Sequence, residues 1–294
     1  MQKITPHLWF DREAREAAAF YASVFGTSEP PRVTTLHDTP SGTVDVVDVE
    51  LLGQQFTLLS AGPLFKFTPA VSFLVVCETP DEVDRLWRQL AEGGTALMEL
   101  GSYPFSERYG WTQDRYGLSW QVMFAGDRPI TRRMIPTLMF TGDVAGRAEE
   151  AIAFWSQVFR NSGLEYAMRY GANEAPDREG TIKHARFRLE GEEFAAMDSA
   201  YEHGFGFNEA ISFLVHCENQ QEIDYYWERL SADPNAEQCG WLKDKFGLSW
   251  QIVPTAMDRM MTQGTPEQIA RVTTAFLQMK KFDLAKLEEA FAGR

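Results

Sequence analysis

The sequence predicts an α+β fold of two tandem domains, each of paired β-α-β-β-β modules, followed by a C-terminal helical hairpin. Three observations carry this. The chain repeats itself after about 130 residues, each repeat runs strand, helix and three strands twice over, and two capped helical segments lie beyond the second repeat.

The repeat is seen in matched phrases. "HLWF" at 7 aligns with "TLMF" at 137, and "AFYASVF" at 19 with "AFWSQVF" at 153. "AVSFLVVC" at 70 aligns with "AISFLVHC" at 210, and "GWTQDRYGLSWQV" at 110 with "GWLKDKFGLSWQI" at 240. The offsets change between elements, so insertions fall in loops while the elements persist. Domains are expected at 1–128 and 132–256, joined near "GDRPITRR", with a C-terminal extension at 257–294.

In the first repeat, "ITPHLWF" reads as a strand and "REAREAAAFYASVFG" as an amphipathic helix closed by Gly26. "RVTTLH", "TVDVVDVELL" and "QQFTLLSA" read as strands, with a hairpin at Gly53 and Gln54. The pattern restarts at "AVSFLVVC". A second helix opens at Thr79-Pro80 and ends before Gly93 and Gly94, and three short strands follow, ending in "LSWQVMF". Asp114 to Gly117 and Asp244 to Gly247 are D-x-x-G, which fits a type I turn with Asp at its first position and Gly at its fourth. In the tail, Thr265, Pro266 and Gln268 form a capping-box pattern ahead of Ile269, Val272 and Phe276 on one helical face, and a second helix follows Asp283. These helices are expected to pack on the second domain, or else to form a dimer contact.

Composition narrows the function classes. At 44% hydrophobic and 24% charged residues the chain reads as globular, and its longest apolar stretches are strand-sized, too short for a membrane helix. No basic segment followed by an apolar one opens the chain, so the expected address is the cytoplasm. A net charge of -14 without a local Lys/Arg cluster disfavours nucleic acid as a partner. Cys77, Cys217 and Cys239 have no C-x-x-C spacing and are odd in number, which fits a reduced compartment and thiols used as small apolar residues.

The segments "ITPHLWFDREAREAAAFYASVF", "FNEAISFLVHCENQQEIDYYWERL" and "CGWLKDKFGLSWQIVP" resemble the vicinal oxygen chelate (glyoxalase/bleomycin resistance/dioxygenase) superfamily, in particular its PhnB-like, 3-demethylubiquinone methyltransferase-like branch. The resemblance extends over roughly 250 of the 294 residues. It implies that paired modules curve into a cup, in which enzymes of the superfamily hold a divalent metal on His and Glu side chains from the first and last strands of each module. At those places the first domain offers Thr5 and His7, Ser60, Ser72 and Gln121. The second offers Ile135 and Thr137, Asp198, Ser212 and Gln251. Neutral amides and hydroxyls do not hold Zn²⁺, Fe²⁺ or Ni²⁺ without imidazole, thiolate or carboxylate partners, so no metal site and no cofactor are expected. His7 is the best remaining ligand or base, its alternative being a polar residue that lines the cup.

A mainly apolar concavity with a few hydrogen-bonding groups suits a small organic ligand. The candidates for it are His7, Trp9, Ser60, Ser72, Trp111 and Gln121 from the first domain and Thr137, Met139, Asp198, Ser212, Trp241 and Gln251 from the second. Strand alternation places Trp120 on the face opposite Gln121, and Trp120 and Trp250 are read as core mass. His216 and Cys217 are strand neighbours that point to opposite faces, which argues against a Cys-His nucleophile. The G-x-G at 204 to 206 lies between strands and lacks a third glycine, so it predicts no S-adenosylmethionine cradle and methyl transfer is not expected. The expected function is small-molecule binding. A metal-dependent lyase, isomerase or dioxygenase and a non-catalytic scaffold or dimerisation protein stand as alternatives, and pairing of chains into a homodimer stays open.

Overall fold

The computed structural model describes residues 2–27 and 29–294. The first repeat begins with β1 (Ile4–Phe10), α1 (Ala14–Phe25), β2 (Arg32–Thr39), β3 (Gly42–Leu51) and β4 (Gln54–Ser60). Its second module is β5 (Val71–Cys77), α2 (Pro80–Ala91), β6 (Thr95–Tyr103), β7 (Ser106–Gln113) and β8 (Ser119–Phe124). The second repeat begins with β9 (Met134–Phe140), α3 (Ala148–Val158), β10 (Gly163–Arg169), β11 (Ile182–Leu189) and β12 (Glu192–Asp198). It continues with β13 (Ile211–Cys217), α4 (Gln220–Leu230), β14 (Trp241–Lys243) and β15 (Ser249–Pro254), and the tail forms α5 (Thr255–Gln263), α6 (Pro266–Leu277) and α7 (Leu284–Ala292).

Local chemistry accounts for the boundaries. The Thr79 side chain accepts from Glu82 N ahead of Pro80, Asn219 does the same from Glu222 N, and Thr265 and Gln268 form a reciprocal capping box. The turn between β3 and β4 is Leu52-Gly53, both with positive φ, so Gln54 already belongs to the strand.

Sheet pairing crosses the repeats. The first sheet has the order β14-β15-β13-β1-β4-β3-β2 and the second β10-β11-β12-β9-β5-β8-β7-β6. β1 runs antiparallel to β13 with His7 opposite Ser212, and β5 runs antiparallel to β9 with Ser72 opposite Thr137. Each sheet therefore joins one module from each repeat. One core links the inner faces of both sheets with α1 to α4, and in it Phe56 meets Phe73 at 4.9 Å and Phe194 meets Phe213 at 5.5 Å between ring centres. Trp120, Trp155 and Trp250 are fully buried there. The outer face of each sheet lies outside this core and carries separate apolar clusters.

The fourth module departs from the predicted pattern. Where the first repeat has β6, the second is shorter and has only a 3-10 turn, Pro234–Ala236. The tail fills the vacated edge, since Cys239 N and Gly240 N donate to Met279 O and Lys280 O, both at 2.8 Å. The tail also contains a helix beyond the predicted hairpin, α5, which continues directly from β15. Its packing differs from the expectation as well. Val272 and Met260 bury against Leu214 and Val253 of the second repeat, while Ile269 and Phe276 lie with Leu36, Val44 and Trp9 of the first. The tail thus packs on part of the outer face of the first sheet in both repeats.

Candidate functional site

The period of two in each strand sets which side chains share a face. On the first sheet, His7 lies between Ser212 on β13 and Thr57 on β4, Ser212 is in register with Ser249, and Gln251 is in register with Trp241. Gln251 Nε2 donates to Ser212 Oγ at 2.9 Å. The Trp241 ring meets His7 edge-on, with centroids 5.3 Å apart at 89°, and lies 6.1 Å from the ring of Trp9. Trp9 in turn donates its indole N–H to Gly62 O at 2.8 Å and meets Phe65 at 5.1 Å. His7 is 5% exposed, and burial pushes its imidazole down to about 3, so the ring is neutral near pH 7. Among the described residues its Nδ1 has no hydrogen-bond partner, and neither does the Oγ of Ser249, a residue 1% exposed.

The matching positions on the second sheet form a closed network. Tyr109 donates its hydroxyl to Gln121 Oε1 at 2.7 Å, Gln121 Nε2 donates to Ser72 Oγ at 2.8 Å, and Trp111 Nε1 donates to Ser119 Oγ at 2.7 Å. Thr137 donates to Ile135 O at 3.3 Å, and Met139 lies two residues along the same strand, facing the same way. On the first sheet Cys239 stands where the repeat places Tyr109, so Gln251 Oε1 receives no side-chain donor among the described residues. Trp241 turns toward His7 rather than Ser249.

The predicted candidates thus assemble in two groups that mix the repeats. His7 and Trp9 share a face with Ser212, Trp241 and Gln251, whereas Ser72, Trp111 and Gln121 share one with Thr137 and Met139. Ser60 and Asp198 join neither group. They have the strand parity of the core residues Phe56, Leu58, Phe194 and Ala196, and each serves a helix start. Ser60 Oγ accepts from Ala14 N at 3.0 Å. Asp198 accepts from Gly146 N at 2.8 Å, Ala148 N at 3.0 Å and Ile182 N at 2.9 Å. Sequence reasoning missed Tyr109, Ser119 and Ser249. The parity that placed Gln121 and Gln251 also places the two serines on the outer face.

The family described as 3-demethylubiquinone-9 3-methyltransferase matches residues 2–123 and 132–253, most of the chain. The chain belongs to that family. It is a PhnB-like member of the vicinal oxygen chelate superfamily. A PhnB protein from Bacillus cereus that carries the same methyltransferase name is 40% identical over 42% of this chain and 100% of its own, with a TM-score of 0.39. Glyoxalase I from Zea mays is 12% identical over 86% of this chain and 92% of its own, with a TM-score of 0.51, a likeness of fold. No curated protein matches the chain.

The donors do not fit the divalent metal of the superfamily's enzymes. Among the described residues no group of three or more His, Cys, Asp or Glu stands close enough to hold an ion. His7 has amide and hydroxyl neighbours, and Gln121 spends both ends of its amide on Tyr109 and Ser72. Two recesses are lined by residues outside both groups. One of about 470 Å³ is lined by Gln220, Met279 and Phe282, and one of about 230 Å³ lies beside Gly146, Asp177 and Asp198. Among the described residues no helix is long and apolar enough to cross a membrane.

Proposed function

We propose that this PhnB-like chain binds a small organic molecule on the outer face of the first sheet, recognised by His7 and Gln251 beside the rings of Trp9 and Trp241, with Ser249 completing the site. The observation that supports this is the pair of buried polar atoms without partners, His7 Nδ1 and Ser249 Oγ. Buried polar groups are almost always satisfied, and a group that is not has a water or a ligand to meet. The second sheet uses the same positions up within its own network, so it serves as the internal control.

Methyl transfer, which appears in the family's name, is not part of this proposal. The G-x-G at 204 to 206 lies in the loop before β13, with a strand and not a helix after it.

Thermal shifts across a metabolite library test the reading, because a ligand that binds only the folded state raises its melting temperature. A ligand whose shift disappears in His7→Phe and persists in Gln121→Ala is the expected result. A library without any stabilising member would overturn the proposal. So would a stoichiometric divalent ion that His7→Ala removes, which would instead favour a metal-dependent lyase, isomerase or dioxygenase.

A further inference from the structure

The repeated phrase puts Trp111 and Trp241 at equivalent positions, yet their indoles do different things. Trp111 Nε1 donates to Ser119 Oγ at 2.7 Å. Trp241 Nε1 donates to no group among the described residues, and the equivalent hydroxyl, Ser249 Oγ, is buried without a partner. The hydrogen bond that the fold makes on one sheet is not made on the other, and there the buried acceptor is left without a donor among the described residues. What Trp241 has in exchange is its edge-on contact with His7 at 5.3 Å and its approach to Trp9 at 6.1 Å.

We propose that the place held by the Trp241 indole against His7 is a binding site for an uncharged planar aromatic molecule, and that Trp241 swings onto Ser249 when the molecule arrives. This rests on the small-molecule reading above. A second ring against the imidazole would replace the contact that Trp241 gives up, and the swing would complete the hydrogen bond already present on the second sheet. The site's own occupant indicates the class, since it is a flat, neutral ring system bearing one N–H.

The surroundings agree with that class. Trp9 and Phe65, in edge-on contact at 5.1 Å between ring centres, add aromatic surface. Gln251 Nε2 is committed to Ser212, which leaves Oε1 to accept from a ligand N–H or O–H. Among the described residues of β1 and β14 an anion meets no free cation, because His7 is held neutral by burial and the Lys243 ammonium on the neighbouring edge strand is paired with Glu209 at 2.8 Å.

Indole, phenol and benzoate serve as probes, with the indole N–H resonances of the intact protein as the readout and Trp241→Phe and Trp111→Phe to assign two of them. Indole and phenol should shift the Trp241 resonance in a saturable way and leave that of Trp111 in place, and benzoate should shift neither. Ser249→Ala removes only the hydroxyl that Trp241 would reach, and should weaken indole binding about five-fold, the effect of one hydrogen bond, while the Trp111 resonance reports that the fold is intact. Binding of benzoate as tight as that of phenol, or an unchanged indole affinity in Ser249→Ala, overturns the proposal. If Trp241 answers only to charged or aliphatic molecules, the aromatic class fails and small-molecule binding stands. If it answers to no small molecule, both fail.

Discussion

The indole nitrogen of Trp155 on α3 donates to Asp244 Oδ2 at 2.8 Å, and the Tyr21 hydroxyl on α1 donates to Asp114 Oδ2 at 2.7 Å. Each D-x-x-G turn of the second module is thereby tied to the helix of the first module in its own repeat. The same carboxylates hold their own turns. Asp244 accepts from Phe246 N, Leu248 N and Trp250 Nε1, and Asp114 from Tyr116 N, Leu118 N and Trp120 Nε1. Gly117 and Gly247 close the turns at φ 84° and 81°, where a side chain would be strained.

Asp244→Ala would leave two indole N–H groups and two backbone N–H groups buried without an acceptor. It should lower the unfolding free energy by about 3–5 kcal/mol, read from denaturant midpoints, and Asp114→Ala should do the same. Tyr21→Phe removes one of the four donors to Asp114 and should cost about 1 kcal/mol. Equal losses in Tyr21→Phe and Asp114→Ala would count against a shared anchor.

That anchor shows where the sequence is legible and where it is not. Asp, Gly and the strand after them are local chemistry, and so are the caps at Thr79, Asn219 and Thr265, so these can be read off the chain. The reach of Asp114 to Tyr21 spans 93 residues, and no local spacing records it. Register has the same limit. Alternation tells which residues of β1 share a face, but not that β1 pairs with β13 rather than with β5, because both partners are apolar runs of one pattern. Reading by repeat therefore groups His7 with the wrong serine and glutamine. For Ser60 and Asp198 the parity is available in "FTLLS" and "FAAMD", and it places them with the core.

Asp198→Ala tests that placement. Three backbone N–H groups at the start of α3 and β11 would lose their acceptor, a cost of about 3 kcal/mol or more, against about 1 kcal/mol for Ser60→Ala, where one is lost. Ligand affinity of the folded fraction should be unchanged in both. A variant that keeps its stability and loses ligand would return these residues to the binding site.

Acid sensitivity should trace to buried imidazoles. Burial lowers His7 from 6.5 to about 3, and burial with the nearby Arg186 and Arg128 lowers His184 from 6.5 to about 4. Below pH 6.5 the unfolded chain takes up protons that the folded chain does not. Their contribution is thus complete above 6.5 and is lost as pH falls, with a slope of up to about 1.4 kcal/mol per pH unit for each group. Asp114 and Asp244, raised by burial, act in the opposite sense, so the test compares wild type with His7→Phe at each pH. The variant should lose less stability between about pH 7 and about pH 5 by denaturant unfolding. Parallel curves would mean that His7 is not held neutral.

The tail should leave the first sheet without unfolding it. Among the described residues no buried member of the central core comes from beyond Ile252, and the buried tail side chains Met260, Val272, Phe282 and Leu287 meet Leu214 and Val253 in a cluster of their own. The seam is also imperfect, since among the described residues Thr273 Oγ1 and His216 Nδ1 are buried there without a hydrogen-bond partner, the latter 3.5 Å from Asp258 on α5. A charge placed at Val272, which is fully buried, costs more than such a docking contact returns. Val272→Asp should therefore detach α6 and α7 locally, with faster amide exchange at Cys239, Gly240 and β2 and little change across β5, β8 and β9. A variant whose exchange rises evenly through both sheets would show instead that the tail is part of the global folding unit.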